Sequence, residues 1–140
     1  MLVQYHTAME IKVTVPIAPV PWSRPRFNSR SGAVFNANRY SEFKKEFSML
    51  FTRAMKIDQQ KPLSGALSLS ATFYIPKPKT VKREYPSVVP DLDNYIKGIQ
   101  DGMNKLAYRD DAQIIKYLNV SKRYADTLGP RIVIEIKEIK

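Results

Sequence analysis

The chain has 140 residues, a length that suits one domain with its own core and is too short for two. It contains no Cys and a single His, which excludes disulfides, thiolate zinc sites, iron–sulfur clusters, cysteine nucleophiles and multi-histidine metal sites. Its 23 Lys and Arg against 13 Asp and Glu give a net charge of +10, which predicts a polyanionic partner.

The first two segments are a strand and a long loop. Residues 10–17 alternate apolar and polar side chains, which is typical of a half-buried strand. Residues 18–39 contain three Pro, four Arg and no acid, and this composition predicts a long ordered loop. Arg24 and Arg26 are interleaved there with aromatic side chains, a combination that suits contact with phosphates and unstacked bases. The alternative is that the aromatic side chains only attach the loop to the core.

A helix, a strand and a second loop follow. Ser41 is the expected N-cap of a helix whose apolar side chains recur at helical spacing as far as Met55. Residues 67–75 alternate again and predict a second strand. Residues 76–90 contain four Pro and one acid, and they predict a mobile basic loop that is either solvated or in contact with a nucleic-acid backbone. Its cationic residues are Lys77, Lys79, Lys82 and Arg83.

The last third of the chain predicts one helix and two strands. Residues 94–106 carry an apolar face at helical spacing, with Asp93 as the cap. Residues 114–124 look extended, and after the turn signal Gly129-Pro130 the stretch 131–137 alternates, so we expect an antiparallel hairpin. The order β-α-β-α-β-β predicts an α+β fold, a single domain over residues 1–140, with a mixed sheet and helices packed on it.

Acidic residues are concentrated in one segment of this basic chain. Between Asp91 and Asp111 there are five acids and three bases. Asp91 and Asp93 flank Leu92 in the extended entry to a helix, so their carboxylates are expected to point to the same side. Asp110 and Asp111 follow that helix. They return to the first pair if strand 114–124 pairs beside the strand that precedes Asp91.

Converging carboxylates favour a bound cation. Two unit charges about 4 Å apart repel by about 4 kcal/mol at an effective dielectric constant of about 20, so either the pKa values rise or a cation binds. Oxygen ligands favour Mg²⁺, with Mn²⁺ as a possible substitute. In a basic domain this combination predicts phosphodiester chemistry with a metal-activated water. Lys97, one helical turn after Asp93, could orient that water or neutralise the phosphate.

Each of these residues also has a structural interpretation. Asp93 could be only a helix cap, Asp110 only a turn residue, and Lys97 only one member of a solvated ladder of charges on the helix. No glycine-rich phosphate-binding motif occurs, so we expect no nucleotide cofactor. No stretch is apolar enough to span a membrane and no export signal is visible, so we expect a cytoplasmic protein without a membrane partner.

Three motifs carry a resemblance to a known family. The segments 90–97 (PDLDNYIK), 101–104 (DGMN) and 108–114 (YRDDAQI) resemble the D-x-D-N-x-x-K, D-[AG]-[LM] and D-D-x-Q-[IV] patterns of the RusA family of Holliday-junction resolvases. The resemblance implies a homodimeric, Mg²⁺-dependent endodeoxyribonuclease that resolves four-way DNA junctions by paired symmetric nicks in recombination and repair. It implies four catalytic residues. Asp91, Asp93 and Asp111 would bind the metal, and Lys97 would be a base or contact phosphate.

The basic loops complete this hypothesis as a cradle for branched DNA. The expected DNA-binding residues are Arg24, Arg26, Lys77, Lys79, Lys82 and Arg83. The rival hypothesis is a non-catalytic basic protein that binds nucleic acid, in which the Asp cluster is structural.

Overall fold

The computed structural model describes residues 9–24, 26–27, 34–35, 38–55 and 61–140. Its elements in chain order are β1 (Glu10–Val15), β2 (Arg26–Phe27), β3 (Val34–Phe35), α1 (Asn38–Ala54), β4 (Leu67–Ile75), α2 (Leu92–Met103), β5 (Ile114–Tyr124) and β6 (Arg131–Glu138). A one-turn 3₁₀ helix, Asp111–Gln113, precedes β5. The α+β class and the order of the main elements are confirmed in a single domain, and the short β2–β3 ladder is an addition.

The main sheet is mixed and has the strand order β1-β6-β4-β5. β6 is antiparallel to β1 and β4, whereas β5 is parallel to β4. The predicted hairpin of β5 and β6 is therefore wrong, because β4 lies between them. α2 carries the chain across the sheet between β4 and β5, and such a crossover yields parallel strands. β6 then takes the other edge of β4, where Ile132 and Ile134 stand opposite Phe73 and Ala71.

The aromatic stripe of α1 forms much of the core. Phe43, Phe47 and Phe51 are buried and stack in sequence, with ring centroids 5.6 and 5.8 Å apart. This confirms the predicted apolar face, which packs against α2 and β1. The helix begins at Asn38, so the predicted cap, Ser41, lies inside its first turn.

α2 begins and ends earlier than predicted. Its N-cap is Asp91, and its last residue is Met103 rather than residue 106. The predicted cap, Asp93, lies instead in the first turn. The helix ends because the backbone of Asn104 leaves the helical region and Lys105 adopts a left-handed conformation, with φ of 69°.

Two glycines one turn apart bring α2 close to its neighbours. A Cβ atom on Gly102 would lie 2.6 Å from Cδ1 of Phe47, and one on Gly98 would lie 3.2 Å from the Val20 carbonyl oxygen and 3.3 Å from the Trp22 nitrogen. Only glycine allows this approach without displacement of the neighbours. Gly102 therefore fixes the packing of α2 on α1, and Gly98 fixes its packing on the segment that contains Trp22.

A buried carboxylate at the end of β6 holds the residues that precede β1 and β4. Glu138 is 9% exposed and accepts hydrogen bonds from the backbone N–H groups of Met9 (3.2 Å) and Ser64 (2.9 Å). The Ser64 N–H contributes most to holding the pKa of Glu138 below its usual value. No helix in the described part of the chain is long and apolar enough to cross a bilayer.

Candidate active site

A polar cavity of about 670 Å³ lies beside the exposed face of α2. Three separated parts of the chain line it, namely the segment before β2, the first turns of α2 and the start of β5 with its preceding 3₁₀ helix. The lining residues are Trp22, Ser23, Arg24, Asp93, Asn94, Lys97, Gln100, Asp111 and Tyr117. Four of the residues predicted from the sequence, Arg24, Asp93, Lys97 and Asp111, therefore share one cavity. A larger cavity, lined by residues 61–66, Arg109 and residues near Gln113, contains none of the predicted catalytic residues.

The segment before β2 is held against α2 by its backbone. The Trp22 N–H donates a hydrogen bond to the Asn94 carbonyl oxygen (2.9 Å), and Gly98 leaves room for this approach. The Lys97 ammonium lies 3.6 Å from the centroid of the Trp22 ring, a favourable cation–π contact. Among the described residues, Lys97 forms no ion pair with Asp93 or Asp101. The ladder of paired charges is therefore not formed.

The first acidic pair does not cap α2 through a side-chain hydrogen bond. The Asp91 side chain makes no capping hydrogen bond, and Asp93 is two positions past the N-cap. Both residues are exposed. Asp93 lines the cavity, whereas Asp91 is not among the lining residues. The capping alternative for Asp93 is therefore wrong, and its carboxylate is available to a ligand.

The second acidic pair divides its functions. Asp110 caps the 3₁₀ helix by accepting a hydrogen bond from the Ala112 N–H (2.8 Å), and Gln113 accepts one in return from the Asp110 N–H (3.1 Å). The turn interpretation of Asp110 is thus confirmed. The Asp111 N–H donates to Oδ1 of Asn104 (3.0 Å), which ties the start of this turn to the end of α2. Asp111 then lines the cavity.

The pKa values of Asp110 and Asp111 are shifted in opposite directions. Burial raises the pKa of Asp111, and the nearby Asp110 and Asp101 carboxylates raise it further. The hydrogen bond from the Ala112 N–H lowers the pKa of Asp110. The surroundings of Asp111 thus disfavour its charged form when no cation is bound. Such a group favours a cation as its partner.

Polar contacts that the sequence did not predict form the wall between α2 and β5. The Gln100 side chain donates to the Tyr117 hydroxyl (2.9 Å), and the buried Tyr108 hydroxyl donates to the Gln100 carbonyl oxygen (2.9 Å). Burial raises the pKa of Tyr108, so its hydroxyl stays neutral and keeps this hydrogen bond. Ser23 Oγ is buried and has no hydrogen-bond partner in the described part of the chain. Of these four residues, only Tyr108 belongs to one of the three sequence motifs, the segment 108–114.

The cavity contains oxygen donors of the kind that Mg²⁺ binds. No three acidic or histidine side chains within the described ranges lie close enough together to hold a metal ion. Asp93 and Asp111 are nevertheless carboxylates on one cavity, and Mg²⁺ is usually bound by one or two carboxylates together with water and phosphate oxygens. The residues present fit that requirement. The three-carboxylate set that includes Asp91 stays a prediction.

The basic loop before α2 is attached to β5 and does not project freely, in contrast to the predicted mobile loop. The Lys122 ammonium donates hydrogen bonds to the carbonyl oxygens of Val88 (2.6 Å) and Pro90 (2.8 Å). The Lys77 ammonium lies 5.5 Å, and the Arg83 guanidinium carbon 6.0 Å, from the Tyr124 ring centroid. β5 therefore holds the backbone that leads into Asp91.

The remaining predicted DNA-binding residues are distributed over both loops. Arg24 is exposed at the cavity, and Lys79 and Lys82 are exposed in the basic loop. Arg26 lies in β2, and its side chain is outside the described residues. Contact of these residues with DNA stays a prediction.

Comparison with known proteins points to one family. The family model described as "Endodeoxyribonuclease RusA" matches residues 16–137. The chain is 34% identical over 145 residues to the uncharacterized protein YqaN of Bacillus subtilis (strain 168), covering 92% of this chain and 96% of that protein. It is 40% identical over 74 residues to the crossover junction endodeoxyribonuclease rusA of Lactococcus phage r1t, covering 52% of this chain and 55% of the phage protein. The family match spans every segment that lines the cavity.

Proposed function

This chain belongs to the RusA endodeoxyribonuclease family, and from that premise we propose that it resolves four-way DNA junctions by paired, metal-dependent nicks. One structural observation supports the proposal most strongly. Asp93 and Lys97 of α2 line one open cavity together with Asp111, which lies in the separate 3₁₀ helix before β5. Neither Asp93 nor Lys97 is engaged in an ion pair with the described residues.

The carboxylates of Asp93 and Asp111, with Asp91 as the third expected ligand, would hold Mg²⁺ or Mn²⁺. When bound, such an ion supplies Lewis-acid activation of the phosphate and of a water nucleophile. The raised pKa of Asp111, caused mainly by burial, is consistent with a carboxylate whose partner is a cation. Oxygen donors of this kind are the ligands that hard divalent ions prefer.

Lys97 would bind a nonbridging oxygen of the scissile phosphate. Its contact with the Trp22 ring limits the positions of the flexible side chain before substrate arrives, and pre-orientation of this kind lowers the barrier to reaction. The partial positive charge at the start of α2 favours an anion at the same end of the helix. Arg24, on the same cavity, is placed to neutralise an adjacent phosphate.

The basic loops would extend this contact along the arms of the junction. Lys and Arg side chains that neutralise phosphates release counterions, so affinity falls steeply with salt. We expect Arg24 and Arg26 to contact one arm, and the cationic residues of the 76–90 loop to contact another. Binding would then depend on charge along both segments, whereas nicking depends on the cavity.

Two matched nicks require two active centres, and a twofold dimer supplies them. The surface best suited to a second copy is the start of β5. There β5 pairs with β4 alone among the described strands, and Ile115, Tyr117 and Leu118 are exposed. An apolar strand edge of this kind is normally covered. Sedimentation equilibrium at micromolar concentration should give twice the chain mass, and a monomer in the presence of junction DNA would contradict this arrangement.

The decisive test of the proposed activity is Asp93→Asn in an assay of Mg²⁺-dependent nicking of a synthetic four-way junction. We expect wild-type protein to cut two opposed strands. The variant should lose roughly 10³-fold or more in rate, equivalent to about 4 kcal/mol, while junction binding is retained or tightened. Glu46→Gln, an exposed helical carboxylate away from the cavity, is the matched control and should cut normally.

Absence of nicking by the wild-type protein, with retained binding, would support the rival hypothesis of a non-catalytic nucleic-acid-binding protein. An Asp93→Asn variant that nicks at the wild-type rate would remove the cavity from the mechanism.

A further inference from the structure

Two exposed apolar side chains stand at the end of the basic loop and have no function in the proposed nicking reaction. Val88 is 45% and Val89 is 80% exposed. We propose that Val88 and Val89, here called the apolar tip, insert between bases at the branch point of the junction and separate them. This inference rests on the proposed function and extends it by assigning the element that recognises the branch.

The backbone of the apolar tip is held by the side chain of Lys122 from β5. Lys122 donates hydrogen bonds to the carbonyl oxygens on either side of Val89, at Val88 and Pro90. Just upstream, the Ser87 N–H donates to the Tyr85 carbonyl oxygen (2.9 Å) and Pro86 is buried. The side chains of the tip are therefore exposed on a fixed support. A rigid insertion element avoids the entropy cost of ordering a flexible loop on binding.

The charges around the tip select DNA as its partner. Its own loop carries Lys77, Lys79, Lys82 and Arg83 against the single acid Glu84, so an anionic surface is attracted there. In duplex DNA the apolar surface is mostly hidden by base stacking. At a branch point the terminal base pairs of the arms can be unstacked for a few kcal/mol by an apolar wedge. Branched DNA thus offers both the anionic backbone and the apolar faces that this surface requires.

The position of the tip relative to the cavity connects recognition to cleavage. Val89 is two residues before Asp91, a separation of at most about 7 Å along the chain. The cavity residue Asp93 lies two residues further on. Base separation at the tip would therefore occur within about 14 Å of Asp93, which lies four residues after Val89. A linear duplex offers no such step, which would make the tip a determinant of selectivity for branches.

The test uses a four-way junction with 2-aminopurine in the base pair beside the branch point, in EDTA so that no strand is cut. Its fluorescence rises when the base is unstacked. We expect binding of the full-length wild type to raise it by roughly twofold or more, a sign of base separation. The double variant Val88→Ser/Val89→Ser should bind with little change in affinity but give no rise. Leu128→Ser, which alters a 77% exposed side chain at the turn before β6, is the control and should behave as wild type.

The possible outcomes separate the two hypotheses. An equal fluorescence rise with the double variant would overturn the wedge. So would wild-type protein that nicks the junction in a parallel assay with Mg²⁺ but leaves the fluorescence unchanged in EDTA. If the wild type is a dimer in the absence of DNA and the double variant is a monomer, the tip forms a contact between two copies. That result would also overturn the wedge. Wild-type protein that neither binds nor nicks the junction would instead overturn the proposed function, and the wedge with it.

Discussion

Glu138 and Asp111 are carboxylates in opposite surroundings. Glu138 accepts hydrogen bonds from backbone N–H groups of two other segments, and these lower its pKa. Burial raises the pKa of Asp111, and the neighbouring carboxylates of Asp110 and Asp101 raise it further. The fold thus stabilises the charge of one carboxylate and destabilises the charge of the other. A carboxylate whose charge the protein stabilises is structural, whereas one at a cavity whose charge the protein disfavours suits a cation from outside.

The same contrast holds for two lysines. Lys122 donates hydrogen bonds to two backbone carbonyl oxygens and fixes a loop. Among the described residues, Lys97 contacts the face of Trp22 and forms no ion pair. One ammonium group is used by the fold, and the other remains available to a phosphate.

The contrast between the two lysines is tested by Lys97→Ala. We expect the nicking rate to fall by about 10²-fold, because an electrostatic contact to the phosphate is lost. The melting temperature should stay close to that of the wild type. Lys45→Ala, an exposed lysine on α1, is the matched control for both measurements. Parallel losses of stability and activity in Lys97→Ala would instead make this lysine structural.

Substitutions of the two glycines of α2 should have different effects, because Gly102 contacts the core and Gly98 contacts the segment that contains Trp22. Gly102→Ala should lower the free energy of unfolding by about 1–2 kcal/mol, because the new Cβ meets the buried Phe47 ring and overpacking exceeds the helix-propensity gain. Gly98→Ala should change it by less than about 1 kcal/mol, since that gain offsets milder contacts. It should slow nicking about tenfold by displacing Trp22. Urea unfolding measures the free energy of unfolding, and the nicking assay measures the rate. Equal changes in both quantities for the two variants would contradict different functions for the two glycines.

The contribution of the Glu138 carboxylate to the free energy of unfolding should depend on pH. Because the folded pKa of Glu138 is lowered, chiefly by the Ser64 N–H, its ionised form stabilises the fold above the unfolded pKa of about 4.3. That contribution is lost as pH falls through the folded pKa. Glu138→Gln should therefore cost about 1–2 kcal/mol at pH 7 and less at acidic pH. Urea titrations at neutral pH and at a pH below the unfolded pKa check this; an equal cost at both would contradict the ionic contribution.

The smallest effect concerns the outer cationic residues. Lys79→Ala/Lys82→Ala should weaken junction binding and reduce the slope of log K against log salt by about 2. The nicking rate at saturating protein should not change, because neither residue lines the cavity. The control Lys44→Ala/Lys45→Ala removes the same charge from α1. An unchanged salt slope for the loop variant would remove this loop from the DNA interface.

The sequence predicted those features that depend on local periodicity. The aromatic face of α1 and the alternation of β1, β4 and β6 follow from burial of one side of an amphipathic element. The parallel pairing of β5 with β4 does not, because Gly129-Pro130 signals a turn but not which strand edge the chain reaches after it. The ends of α2 were missed by two or three residues, since Leu106 fits the helical spacing but follows the left-handed Lys105.

The site was predictable where a motif named its members, and less so where long-range contacts position them. Asp93, Lys97 and Asp111 could be named from their spacing and from family resemblance. The contact of Lys97 with Trp22 joins residues 75 positions apart, and no local pattern carries it. The attachment of the basic loop by Lys122 depends likewise on strand order, which is why the loop was predicted to be mobile.

The most direct measurement of metal binding at the cavity is anomalous diffraction from crystals soaked in Mn²⁺. We predict one strong peak bounded by the carboxylates of Asp93 and Asp111, absent from crystals of Asp93→Asn, and the same map would establish whether Asp91 is a third ligand. Crystals at saturating Mn²⁺ with no peak in this cavity, or with manganese bound only elsewhere on the protein, would contradict metal-dependent chemistry at this site.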